Sequence, residues 1–454
     1  MYNKSQIFLF LCLIVLIVFY YFKWDIYSSL AVSIFFFYLY NLFVVSSKLI
    51  AFKEWTLVLY ALNYLLAPAL ILHIDQDKVN YKIKLDAEQY YTLILPGFLM
   101  FNLGINFFKT RLFYTDFDLV KIYAILNEKI LKQLLYFGVF LKVLLFYVSG
   151  DLNFFIYALS LIRFVGAFAL FAIDSKKYFH WVVFVLLLEV LHAFVVGMYH
   201  DMTMWLVFFG IYYVYLKKPS LKWKISFGLI SIIAILFVQS LKQVYRAATW
   251  SGDREASLST ALDIAESNTN IESLSGADNI ISTITRSNQA WIFASTVDHM
   301  DRYKDFQGLT NVKLYTEAAL LPRFLAPDKI KSGDRIIFNK FSGHEISETT
   351  SMGLGIFADG YIAYGAWGVA IFGFALGLLF SITFKVVENW TKISPFFMLF
   401  LFPILNYAVR PDCETQTTIN HLVKSMFIYW LLVVAYRRYF SQKLMVLKKQ
   451  GLLR

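Results

Sequence analysis

Residues 355–384 read GIFADGYIAYGAWGVAIFGFALGLLFSITF, thirty positions that carry one charge, Asp359. About 20 mostly apolar residues in a helix cross a bilayer core. Such a run cannot be an ordinary buried helix, which seldom needs more than a dozen or so apolar positions in sequence. Working outward, similar runs lie near 6–22, 26–46, 55–73, 91–108, 133–150, 152–173, 179–199, 202–216, 225–243, 395–410 and 419–440. The fold class expected from this pattern is an all-α polytopic membrane protein with about twelve spans. The first run follows Lys4 but ends in Phe19-Tyr20-Tyr21-Phe22 rather than in small residues, so it reads as an anchor and not a cleaved signal.

Composition agrees. Of 454 residues, 59% are hydrophobic and 16% charged, and the mean hydropathy is +0.59. A soluble domain carries about 25% charged residues, so there is too little polar surface here to cover one. Net charge is +11. On a soluble chain that surplus would suggest nucleic acid, but on a polytopic chain Lys and Arg collect in cytosolic loops. With twelve spans and both termini in the cytosol, the inner segments hold 22 of the 42 basic residues and 6 of the 31 acidic ones. The surplus is then a matter of topology, and no nucleic-acid partner is expected. Two cysteines, Cys12 and Cys413, have no evident reason to pair.

Three regions follow: membrane helices over 1–243, a large outward-facing and partly helical loop over 244–352, and helices with a basic tail over 353–454. Within the loop, helices are expected over 286–303 and, amphipathically, over 311–321. A segment of that length between membrane helices is where chemistry is expected.

Outward arginines are the leading signal: Arg246, Arg286, Arg323, Arg335 and Arg410. A guanidinium stays charged and offers a planar fork to phosphate oxygens. Each alone could instead bond a loop carboxylate. Residues able to take a proton from a sugar hydroxyl are Asp253, Glu255, His344, Glu345 and Asp359, with Asp359 best placed where a helix meets the membrane surface. Trp250, Trp291, Tyr303 and Tyr315 could stack on sugar rings, and Tyr361 adds a polar rim beside Asp359. Asp298-His299-Met300-Asp301 holds metal-ligand residue types but reads as an exposed helix end. No phosphate-cradling glycine loop or zinc spacing is present. Within the apolar runs, Lys142, Arg163, Glu189, His192 and Lys424 call for pairing or function. An Arg163–Glu189 or Lys142–Glu189 pair would fix helix packing, while a proton-coupled transporter would use the same set.

Three stretches carry a family resemblance: Pro322-Arg323-Phe324-Leu325-Ala326-Pro327-Asp328-Lys329, Gly355-Ile356-Phe357-Ala358-Asp359-Gly360-Tyr361, and Tyr364-Gly365-Ala366-Trp367-Gly368. Over about residues 240–385 the chain resembles the Wzy-type O-antigen polymerases, although the acid here is Asp359 where that family more often has Glu. The resemblance implies a glycosyltransferase of the bacterial cytoplasmic (inner) membrane, joining undecaprenyl-pyrophosphate-linked oligosaccharides into O-antigen, capsule or exopolysaccharide. The five arginines would hold pyrophosphate, and Asp359, His344 or Glu345 would activate the acceptor. Trp291, Tyr315 and Tyr361 would contact glycan. No cofactor and no metal are expected, because arginine charge takes a cation's place. The lipid bilayer, a repeat-unit flippase and a chain-length regulator (polysaccharide co-polymerase) are the implied partners. An O-antigen ligase, for which His344 would serve, and a lipid-linked oligosaccharide flippase are the alternatives.

Overall fold

A computed structural model describes residues 4–74, 79, 81–110, 126–148, 152–196, 199–250, 259–260, 263–264, 277–321, 330, 335–346 and 352–440. The described residues form helices and no strand, and the chain is a multi-pass helical membrane protein. Six helices are long and apolar enough to cross a bilayer: Ile26–Val45, Phe52–Leu72, Leu152–Ile173, Ser175–Phe194, Ile356–Thr391 and Thr415–Tyr439. The expectation of twelve spans is therefore corrected to six among the described residues.

Of the other six runs, four fall short for visible reasons and two are described only in part. Lys4–Leu16 runs on into a π-helical turn, Ile17–Tyr21, and its side chains are described only from Phe10 onward. Ala87–Ile105 is diluted by Glu88, Gln89 and Asn102 and interrupted by Pro96. Glu128–Leu144 is 17 residues long and starts on Glu128, Lys129 and Lys132. His200–Lys217 begins with His200 and Asp201 and is rich in tyrosine. Leu221–Trp250 is one 30-residue helix that runs beyond the expected end at 243, and most of its side chains from residue 234 on lie outside the described residues. Pro395–Leu405 is a 3-10 turn followed by a short α-helix, with every residue buried in protein. Counting twelve alternations had put 244–352 outside and both termini inside. With six spans found among the described residues, the position of that segment rests instead on the contacts it makes.

Helix starts follow local chemistry. Asp25, Asp86 and Asn127 each accept the backbone N–H three residues on, at 2.8, 2.7 and 3.0 Å, which satisfies one of the donors a helix start leaves free. Inside Phe52–Leu72 a π-helical turn, Leu62–Leu66, loosens the ladder. Backbone carbonyls freed inside a membrane protein must find donors elsewhere. Here the Asn63 carbonyl accepts Gln289 N–H (3.3 Å), Tyr64 accepts the Tyr90 hydroxyl (2.9 Å) and Leu65 the Tyr91 hydroxyl (2.8 Å). The π turn thus ties together the second span, the helix Ala87–Ile105 and the head of Ala290–Tyr303.

Ala87–Ile105 lies along Ile356–Thr391. A Cβ on Gly104 would overlap the Phe374 carbonyl, one on Gly373 the Gly97 carbonyl, and one on Gly377 the Phe101 carbonyl. Small residues let helices approach closely in a membrane, where packing rather than water drives association. A second close crossing sets Gly138 against Ser160 and Arg163 and Gly166 against Leu131 and Leu135. Beside it both expected ion pairs form. Arg163, fully buried, bonds Glu189 and also donates to the Ser160 carbonyl (2.6 Å) and hydroxyl (3.0 Å), while Lys142 stands 3.6 Å from Glu189.

Ile356–Thr391 is not one rod. Tyr364 (φ −145°, ψ 26°) and Gly365 (φ 59°, ψ −143°) break it. In a continuous helix, residues eight apart stand about 12 Å apart along the axis. Here a Cβ at Gly360 or Gly368 would strike the other's carbonyl. The chain folds back on itself, making a short arm (356–363) and a long helix (366–391). The latter, at about 39 Å, is ample for a bilayer. The arm's last carbonyls, on Ile362 and Ala363, accept Gln307 N–H (2.9 Å) and Gly308 N–H (3.1 Å).

Helices within the long segment occur at Ala277–Arg286, Ala290–Tyr303, Thr310–Leu320 and Arg335–Ser342. Those expected over 286–303 and 311–321 are thus present, with small shifts at their ends. They cover the end of the helical body that carries the arm: Gln289 meets Asn63, Lys84 meets Asp298 (3.6 Å), and Tyr81 stacks on Trp291 (4.6 Å).

Candidate functional site

Asp359 sits in the first turn of the arm and is 3% exposed. A buried carboxylate must be hydrogen-bonded, and this one is. Tyr315, from Thr310–Leu320, donates its hydroxyl to Oδ1 at 2.9 Å. Thr415, at the start of Thr415–Tyr439, donates its hydroxyl to Oδ2 and its N–H to the same atom at 3.3 Å. Among the described residues no cation is paired with it. The carboxylate is held by neutral donors from two other elements, and its remaining lone pairs face a pocket.

That pocket is bounded by Tyr315, Phe338, Asp359, Glu414 and Gln416, with Ile337, Met352 and Leu354 completing the wall. Its volume of about 10 Å³ admits one water or one hydroxyl, so any larger molecule must sit outside and insert a single oxygen. A second carboxylate, Glu414, shares the wall and accepts the Thr417 hydroxyl at 2.6 Å.

Arg410 enters through the turn before Thr415. That turn packs on residues 353–355: Tyr64 donates to the Pro411 carbonyl (3.3 Å), and a Cβ on Gly353 would crowd Glu414 N. Gly355 takes φ +81°, and a side chain there would meet the Tyr64 hydroxyl, which leaves glycine as the fitting residue. The Arg410 guanidinium lies over the Tyr407 ring (4.4 Å) and bonds Asp412 through Nε (3.2 Å) and Nη2 (2.8 Å). Burial works against it, but the guanidinium holds the Asp412 carboxyl down at about 2. The loop-carboxylate reading thus applies to Arg410, with part of its fork left for another acceptor.

Other expected residues fall into a second cluster. Trp291 has Tyr81 against one face and His344 at its edge (5.7 Å), and His344 Nε2 is 2.9 Å from the Ser295 hydroxyl. Burial, and then the Lys84 ammonium, push His344 below its ordinary value. Glu345 is exposed, and Arg335 is half-buried at the start of its helix. Tyr361 donates to Asp301 (2.6 Å) and meets Phe293 and Phe306 edge-on. Among the described residues that line the Asp359 pocket, none of these appears. Arg323, its surrounding proline turn, Asp253, Glu255 and the side chains of Arg246, Arg286 and Trp250 lie outside the described residues.

The residues missed from sequence are Thr415, Glu414, Gln416 and Asp412. Only Asp412 left a signal, its place two residues after Arg410. Among the described residues no group of three His, Cys, Asp or Glu gathers as metal ligands would; in Asp298-His299-Met300-Asp301 the acids are engaged by Arg302, Lys84 and Tyr361.

No curated protein and no solved structure matches the chain. A family model described as "Domain of unknown function (DUF8712)" matches residues 61–392, from the second span through the broken helix. The match contains Tyr315 and Asp359 and stops before Arg410 and Thr415. The chain, matched over more than half its length, belongs to this DUF8712 family.

Proposed function

We propose that the protein is a membrane glycosyltransferase that polymerises lipid-pyrophosphate-linked oligosaccharide units into a surface polysaccharide. The observation that carries the reading is the convergence, at one end of the helical body, of a buried carboxylate facing a hydroxyl-sized pocket with an arginine turn packed against the residues that lead into the same arm. An acceptor hydroxyl enters the pocket and gives its proton to Asp359. Its oxygen forms a bond to the anomeric carbon of the donor sugar as the bond from that carbon to the pyrophosphate oxygen breaks. The electron pair leaves with the lipid pyrophosphate, whose growing charge is met by Arg410, an electrostatic contribution often worth about 3–4 kcal/mol per donor in comparable sites. Tyr315 and Thr415 orient the base. Trp291, with Tyr81 and His344, supplies an aromatic surface for glycan in the second cluster.

Purified protein supplied with a lipid-linked repeat unit tests this. A ladder of products supports it. Transfer only to a lipid-core acceptor would assign a ligase instead, and translocation without any new glycosidic bond would assign a flippase.

A further inference from the structure

At the opposite end of the helical body lies a pocket of about 350 Å³, within the range of small-ligand sites. It forms where Phe52–Leu72 begins and Ala87–Ile105 ends. Its polar wall is Lys53, Glu54, Asn106, Lys109 and Thr110, and Ile50 and Phe108 stand among the apolar remainder. The wall is braced. Phe108 N–H donates to the Ser381 hydroxyl (2.9 Å), and Lys53 Nζ, 5.8 Å from the Phe384 ring, donates to the Phe108 carbonyl (3.2 Å). Thr110 Oγ1 is buried without a hydrogen-bond partner, a cost that a bound acceptor or donor would remove.

Two ammonium groups, one carboxylate, an amide and a free hydroxyl around one cavity match a ligand that carries both signs. The apolar rim, where one membrane span begins and the helix packed along another ends, suits a molecule with acyl chains. We infer that this pocket binds the zwitterionic headgroup of a phospholipid with a primary amine, phosphate toward Lys53, Lys109 and Thr110 and ammonium toward Glu54. A doubly charged free phosphate would leave Glu54 facing an anion. A quaternary amine would offer Glu54 no N–H. An anionic glycerol headgroup would likewise leave the carboxylate unmatched.

Native mass spectrometry of the full chain in detergent, with phosphatidylethanolamine, phosphatidylglycerol and phosphatidylcholine of identical chains, tests this. The expected result is retention of the ethanolamine lipid roughly tenfold over the other two. Glu54→Gln should erase the preference over phosphatidylglycerol. Lys109→Ala with Thr110→Val, both outside helices, should lower retention of the ethanolamine lipid by roughly tenfold at an unchanged melting temperature. Equal retention of the three lipids, indifference to the paired variant, or full competition by inorganic phosphate would each overturn the inference. Polymer synthesis is read separately, so failure here leaves the Asp359 reading standing.

Discussion

The Tyr315 hydroxyl stands 2.9 Å from Asp359 Oδ1, a bond that joins a helix of the long polar segment to the short arm of a broken membrane helix. If the carboxylate takes a proton, Asp359→Asn keeps shape and most bonding while removing the base. Polymer synthesis should fall roughly 10²–10⁴-fold at little change in melting temperature. Tyr315→Phe keeps the base but loosens it, so a smaller loss is expected, borne by kcat. Full activity in the Asn variant, measured on the product ladder, would remove Asp359 from the reaction.

Arg410 and Asp412 make a planar pair that an ammonium cannot reproduce. Arg410→Lys is expected to cost roughly 10²-fold in kcat/KM, and Asp412→Asn less, chiefly through KM for the lipid-linked donor. The pH sign is definite. Asp412 titrates below its ordinary value, at about 2, so its contribution to stability is complete above about 4 and is lost as pH falls through 2. Rates measured from pH 5 to 9 should therefore show no inflection from this pair.

What was legible in the sequence was the class and one end of the site. Long apolar runs give a membrane protein, and Asp359 beside Gly360 and Tyr361 stands out as the lone charge in thirty residues. The partners of Asp359 were not legible, because Tyr315 and Thr415 lie 44 and 56 residues away and meet it only through the fold. The span count erred for a related reason. A hydropathy window sees that Pro395–Leu405 is apolar but not that protein surrounds it on all sides. Nor does a glycine announce its use: Gly365 turns the chain, whereas Gly377 seats a neighbouring helix.

Burial, and then the Lys84 ammonium, push His344 below its ordinary value. Because the folded value is below the ordinary 6.5, the unfolded chain binds a proton first as pH drops. Stability from this group is complete above 6.5 and declines as pH falls from there to the folded value. Melting temperature should dip over that window, and His344→Gln, which can still bond Ser295, should flatten the dip. A dip of the same size in the variant would place its cause elsewhere.

Arg163 and Glu189 are both buried, so removing Glu189 leaves Arg163 without its carboxylate, while removing Arg163 leaves Glu189 only Lys142, at 3.6 Å. Glu189→Gln should destabilise by about 3–5 kcal/mol and Arg163→Ala by less, while replacement of Arg163, Glu189 and Lys142 together by apolar residues of similar size should recover most of the loss. Polymer synthesis per folded molecule should be unchanged in the triple variant. Its loss there, with the fold intact, would give these groups a role beyond packing.

The break at Tyr364 and Gly365 is what brings the Asp359 arm back along the long helix, and its two glycines should fail in different ways. At Gly365 there is space, with the nearest ring atom of Phe306 at 3.6 Å, but φ +59° with ψ −143° suits few side chains. Gly365→Ala should therefore cost about 1–3 kcal/mol in backbone strain alone. At Gly368 the backbone is ordinary, but a methyl group would enter the Gly360 carbonyl. Neither backbone can yield without parting the arm from the helix, so Gly368→Ala should cost as much or more. It should also pull Asp359 away from Thr415, lowering activity beyond the loss of folded protein. Gly228→Ala, where the nearest atom is a Phe43 ring carbon at 3.8 Å, is the control and should be neutral or mildly stabilising. Melting curves on the three variants, with activity per folded molecule, check the order. A Gly368→Ala protein as stable and active as Gly228→Ala would mean the arm and the long helix do not cross there.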